Sequence, residues 1–83
     1  MIGCEEYDYI EIACLYRYLI KLTLRNGQRV EGVALDTQRN PENKECLKVG
    51  VANGGTQLIV LEDILKLKVC VDNPHFSEVI FDR

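Results

Sequence analysis

Asn26-Gly27 lies between two stretches of alternating apolar and polar side chains, and this placement limits the possible folds more than any other feature. A tight type I′ turn needs positive φ at both central residues, which Asn and Gly accept at little cost. Before the turn, Ile20, Leu22 and Leu24 alternate against Leu19, Lys21 and Thr23. After it, a run over residues 28–37 places Val30, Gly32 and Ala34 on one face. The pattern predicts a β-hairpin buried on one side. Small residues at Gly32 and Ala34 suit a sharp bend, as at a barrel corner.

Period-two patterning continues beyond the hairpin. Further strands are expected over residues 45–51, with Leu47, Val49 and Val51 on one face, and over residues 56–62. Another follows over residues 65–71, where Leu65, Leu67, Val69 and Val71 alternate against Lys66, Lys68 and Cys70. The breaks are the polar loop at residues 39–43, the turn Ala52-Asn53-Gly54-Gly55, and one helical turn near Glu62-Asp63. Asn73-Pro74 ends the last alternating run, and residues 77–81 form an edge strand or an extended tail. Ahead of the strands, residues 5–17 read as a short helix with Ile10, Ala13 and Cys14 on one stripe. Short, bent strands cannot bury both faces of a flat sheet, and curling into a barrel solves the edge problem. The expected fold class is mainly β: an N-terminal helix followed by a small five- to six-stranded Sm-like or SH3-like barrel. Residues 1–83 are expected to form a single domain, with the helix at about 5–17, the barrel at about 18–71 and a C-terminal strand or tail at 72–83. A split OB-type barrel would place its helix between the third and fourth strands, where residues 52–55 are too few.

The helix carries the other informative pattern. The net charge is −3, but residues 1–16 hold Glu5, Glu6, Asp8 and Glu11 and no base. Acids in the first turn complement the helix macrodipole. Asp8 and Glu11 are three apart with Glu5 on the same row, so they form an acidic ridge, roughly opposite Cys14. Tyr7, Tyr9, Ile12 and Tyr16 are more apolar groups than a one-sided helix buries, so some are expected to be exposed. A net acidic chain is poorly suited to general nucleic-acid binding, which needs a surplus of cations on the binding face.

Composition excludes several other classes. The chain is 47% hydrophobic and 28% charged, which argues against wholesale disorder. No apolar run reaches the ~18 residues that span a bilayer, and no membrane association is expected. The first ten residues lack the basic and apolar regions of a secretory signal, so the expected location is cytoplasmic. Cysteines at positions 4, 14, 46 and 70 show no CxxC spacing and read as reduced thiols, mostly buried as small hydrophobes. His75 is the only histidine, and there is no Gly-rich phosphate loop. The chain is therefore expected to be neither an enzyme nor a holder of a metal or cofactor.

Four segments resemble a known family. They are Cys4-Glu5-Glu6-Tyr7-Asp8-Tyr9-Ile10-Glu11-Ile12-Ala13-Cys14, Leu22-Thr23-Leu24-Arg25-Asn26-Gly27, Ala34-Leu35-Asp36-Thr37 and Leu58-Ile59-Val60-Leu61-Glu62-Asp63-Ile64. Over residues 3–71 the chain is similar to the Rof family, bacterial Rho-binding antiterminators with an N-terminal helix on an Sm-like barrel. The helix pattern C-x-x-Y-D-x-[IL]-E-[IL]-A-C is the specific part. The resemblance implies binding to the RNA-binding N-terminal domain of the Rho termination factor, in competition with transcripts, and inhibition of Rho-dependent termination. Carried over by position, the contacts fall on Asp8 and Glu11, flanked by Glu5 and Glu6. Tyr9, where the family often has a polar residue, joins them as a candidate contact, and Cys4 and Cys14 also match the motif. Buried aromatic anchors usually supply affinity at such surfaces, a role open to Tyr7 or Tyr9. A monomer with no direct nucleic-acid contact is the expectation.

Blander readings remain beside this one. The acidic run also fits a solvated helix start, and the tyrosines fit a covering for the barrel. Arg17, Lys21, Arg25 and Arg29 are interleaved with strand alternation and read as solvent-facing positions. The alternative functions are an Sm-type RNA-binding module or another small protein-interaction barrel.

Overall fold

The computed structural model describes residues 4–81, apart from the side chain of Cys4. Helix α1 (Cys4–Leu15) precedes strands β1 (Leu19–Leu24), β2 (Arg29–Arg39), β3 (Glu45–Gly50), β4 (Thr56–Val60), β5 (Ile64–Val69) and β6 (Glu78–Ile80), with a 3₁₀ turn at Leu61–Asp63. The strands form one antiparallel sheet in the order β4-β3-β2-β1-β5-β6. Among the described residues no ladder joins the edges β4 and β6, so the sheet does not close on itself as the expected barrel would. The 3₁₀ turn instead carries the chain from one edge strand back to β5. A helix followed by a small β domain is the architecture expected from the sequence.

The hairpin obeys its pattern. Ile20, Leu22 and Leu24 of β1 are buried, and Gly32 and Ala34 of β2 face the same interior. The turn itself is not the expected type I′: Gly27 takes φ of +90° but Asn26 does not take positive φ. The Gly27 N–H bonds the Leu24 carbonyl (2.9 Å) while the Leu24 N–H bonds the Gln28 carbonyl (2.8 Å), closing a three-residue loop over residues 25–27. Gly32 is required by crowding, since a Cβ there would collide with the Gly50 carbonyl oxygen and the Val49 side chain on β3.

Two further details depart from the sequence reading. The helix ends at Leu15 rather than residue 17. Arg17 adopts φ of 53°, its N–H bonds the Cys14 carbonyl (3.2 Å), and the Tyr18 N–H bonds the Ala13 carbonyl (3.0 Å). This is the Schellman stop, made with Arg where Gly is usual, so no glycine marks it in the sequence. In β5 the alternation is broken: Ile64 is fully buried while Leu65 and Val71 are exposed. The ladder passes from Thr23 opposite Lys66 to Leu24 opposite Ile64, so Leu65 is the extra residue of a bulge and turns outward. Val71 lies beyond the end of the strand.

At the C-terminal end the edge-strand alternative holds, over residues 78–80, and Phe81 plugs the core at 0% exposure. Arg25 fixes that end. Its Nη2 donates to the Phe81 carbonyl (2.8 Å) and its Nε to the Glu62 carbonyl (2.9 Å). Ile10, Ile20, Leu22, Leu47, Leu61, Ile64 and Leu67 are fully buried with Phe81.

Candidate functional site

The placement of α1 decides which of its side chains face solvent. Ile10 and Ala13 are fully buried, so the opposite side of the helix is left outside. Two walls bound that outer side. On one, α1 packs against β2, with the Tyr7 hydroxyl 3.4 Å from Thr37 Oγ1. On the other, Tyr9 packs on Phe76, ring centroids 4.9 Å apart, and Tyr16 stacks on His75 at 4.8 Å.

Between the walls runs the acidic row. Glu5, Asp8 and Glu11 are all exposed, and Leu15, next along the same face, is 72% exposed. Neighbours on this row stand about 5–6 Å apart at Cβ, and Glu5 to Glu11 covers about 9 Å of helix axis. Glu6 is half-buried and lies off the row, four residues before the buried Ile10 and so on the inward side of the helix. Tyr9 is also half-buried, since its ring covers the core beside Phe76, and Tyr7 is likewise half-buried. The freely presented large apolar side chains are Leu15 and Tyr16 rather than Tyr7 and Tyr9.

A further carboxylate joins the row from another element. Asp36 on β2 and Glu11 on α1 line the same open groove, about 370 Å³, together with Cys14, Leu15, Arg17, Leu35 and Thr37. Burial pushes the Cys14 thiol up to about 11, assisted by Asp36 and then by Glu11, against the opposing pull of Arg17. Cys14 therefore sits beside the acidic ridge, not opposite it. Asp36 is brought here by a register shift between Ala34 and Asp36 in the β2–β3 ladder, a break that strict alternation does not reveal. The one sequence signal for it was its place in the Ala34-Leu35-Asp36-Thr37 segment.

The loop of the second wall is organised by one side chain. Asn73 Oδ1 accepts from the N–H groups of His75 (2.9 Å) and Phe76 (3.0 Å), and its Nδ2 donates to the carbonyls of Val71 and Phe76, each at 3.0 Å. Cys14, Cys46 and Cys70 carry free thiols, while the side chain of Cys4, the other cysteine of the helix motif, lies outside the described residues. Among the described residues no three His, Cys, Asp or Glu side chains converge as a metal-ligand set. Nor is any described helix long and apolar enough to cross a membrane.

This geometry is an exposed acidic face with an apolar end, and known proteins share its scaffold. The model of the ROF family, described as modulator of Rho-dependent transcription termination, matches residues 1–81. Proteins named rof from Escherichia coli and Shigella flexneri are each 33% identical over 63 residues, which is 76% of this chain and 73% of theirs. A solved structure of YaeO from Vibrio cholerae, described as bound to magnesium, superposes with a TM-score of 0.87 at 38% identity, covering 92% of this chain and 97% of that one.

Proposed function

Because this chain belongs to the ROF family of modulators of Rho-dependent transcription termination, we propose that it binds Rho itself and competes with RNA there. The partner surface is the RNA-binding N-terminal domain of Rho, and the outcome is inhibition of termination in the cytoplasm by a monomer. One observation carries the reading: Glu5, Asp8 and Glu11 stand exposed in a single row on a helix anchored to the core, with Asp36 extending the charge from β2. The half-buried Tyr9, beside the row, and Glu6, next to Glu5 in the chain, are further contacts.

The physics fits a competitor of RNA. A site for RNA is lined by cations, and an inhibitor for it must hold negative charge at fixed spacing. Each solvent-facing ion pair contributes only about 0.2–1 kcal/mol. Charge complementarity therefore chiefly accelerates encounter and fixes register. Binding should weaken as salt rises.

The test is a calorimetric titration of the whole chain into Rho, wild type against Asp8→Lys plus Glu11→Lys, with circular dichroism establishing that both are folded. Saturable wild-type binding that the double reversal abolishes is the expected result. Folded wild type that does not bind, or a reversal that binds equally well, overturns it.

One observation favours the RNA-module alternative. On the outer sheet face Lys21 is paired directly with Lys68, and Thr23 lies between Arg29 and Lys66. Glu31 opposite Lys21 and Glu78, 3.0 Å from Lys66, offset this cluster. No binding to a single-stranded oligoribonucleotide is the expected outcome, read by fluorescence anisotropy.

A further inference from the structure

Acidic residues answer only half of what an RNA site offers. Sites for single-stranded nucleic acid combine a cationic track for phosphates with aromatic or apolar platforms on which bases stack. Beside the carboxylate row is a feature suited to the second half. Tyr16 is 51% exposed, yet its ring is ordered by contacts on two sides. It stacks on His75 (4.8 Å, interplanar 24°) and on the buried Tyr18 (5.6 Å, 18°). His75 is held in place by the Asn73 side chain, and the same loop is pinned to α1 again through Phe76 and Tyr9. Leu15, the residue before Tyr16, closes the acidic row with the most exposed large apolar side chain among the described residues.

A large ring fixed from behind and left half in water contributes little to the core that holds it. We infer that Tyr16, backed by His75 and Tyr18 and flanked by Leu15, occupies a nucleobase recess of the RNA site that the acidic row faces. The end of α1 then imitates a base as the row imitates phosphates. This deepens the Rho-binding reading and rests on it. It also separates two contributions: the carboxylates set the salt dependence, and the ring sets a salt-independent part of the affinity.

The experiment measures Kd for Rho at low and high salt with the full chain as wild type, Tyr16→Ala, Tyr16→Phe, His75→Ala and the double reversal Asp8→Lys plus Glu11→Lys. Stacking on an aromatic ring typically contributes enough that its removal weakens binding about tenfold. Tyr16→Ala is expected to lose about that factor equally at both salt concentrations, and Tyr16→Phe to retain wild-type affinity. His75→Ala, which keeps the ring and removes its backing, is expected to lose about threefold. The double reversal is expected to abolish the salt-dependent part. If Tyr16→Ala and His75→Ala both bind within twofold of wild type while the reversal loses binding, the base-mimic inference is overturned and the acidic reading stands. If folded wild type does not bind Rho, both fall.

Discussion

The β1–β2 hairpin and α1 pack against the same core by opposite rules. In β1 the alternation of buried and exposed side chains is complete, and each apolar side chain on the inward face is used. In α1 apolar side chains surround the axis. Ile10 and Ala13 are buried, Tyr7, Tyr9, Ile12 and Cys14 are half-buried, and Leu15 and Tyr16 face water. A helix walled on two sides by β2 and by the Asn73 loop uses more of its circumference than a surface helix does, and the strip left between the walls is acidic with an apolar end. Local rules that agree with the fold mark the parts that make it, and the apolar side chains of this segment that the core leaves outside border the acidic row.

The comparison breaks most readily in the sheet and its plug, where substitutions should cost stability. Phe81→Ala removes a fully buried ring and should destabilise by about 3–5 kcal/mol in urea unfolding. Gly32→Ala sets a methyl against the Gly50 carbonyl within a paired ladder and should cost about 1–3 kcal/mol. A Gly32→Ala protein as stable as wild type would mean that the β2–β3 bend is not set by crowding. Smaller, and opposite in sign, is Arg17→Gly. A left-handed conformation costs an L-residue about 1–2 kcal/mol, and the greater unfolded-state freedom of Gly returns about 0.4–1 kcal/mol of that. A net gain of about 0.5–1 kcal/mol is expected at the end of α1. On the outer row, Asp8→Asn plus Glu11→Gln should shift stability by no more than about 0.5 kcal/mol while weakening Rho binding several-fold. A large loss of stability from that pair would erase the division between the two regions.

Most of the fold was legible because the sheet follows period two with conventional turn residues. Asn26-Gly27 marked the hairpin, residues 52–55 the β3–β4 turn, and Glu62-Asp63 the 3₁₀ turn. The features without a sequence signal depend on register or on tertiary contact. Leu65 shares the alternation of Leu67 and Val69, and the bulge that turns it outward leaves no sequence signature. Phe81 lies in a segment too short to show periodicity, and its burial follows from β6 pairing with β5. For the candidate site, the acidic row was visible from helical spacing alone. Asp36 was not, because a bulge in a different ladder brings it to α1. Tyr16 could not be told from Tyr7 and Tyr9, since only the 71–76 loop and Thr37 decide which rings are covered.

The smallest expected effect tests whether α1 and β2 share one acidic field. Burial, then Asp36, then Glu11 push the Cys14 thiol up to about 11. Reaction with an alkylating agent follows the thiolate. Near pH 8 the thiolate at this site is therefore on the order of one part in a thousand. Peptide mapping by mass spectrometry should show slow alkylation at Cys14 in the folded chain, rising about tenfold per pH unit toward pH 11, and ordinary rates in urea. The folded state holds this proton more tightly than the unfolded state, whose thiol titrates near 9.0. Its stabilising contribution is thus complete below that pH and is lost as pH rises toward 11. Asp36→Asn should lower the Cys14 pKa and speed its alkylation at fixed pH, with Glu11→Gln doing the same to a lesser degree. An Asp36→Asn protein with an unchanged profile would place Asp36 outside the field of α1, and the acidic face offered to a partner would then end at Glu11.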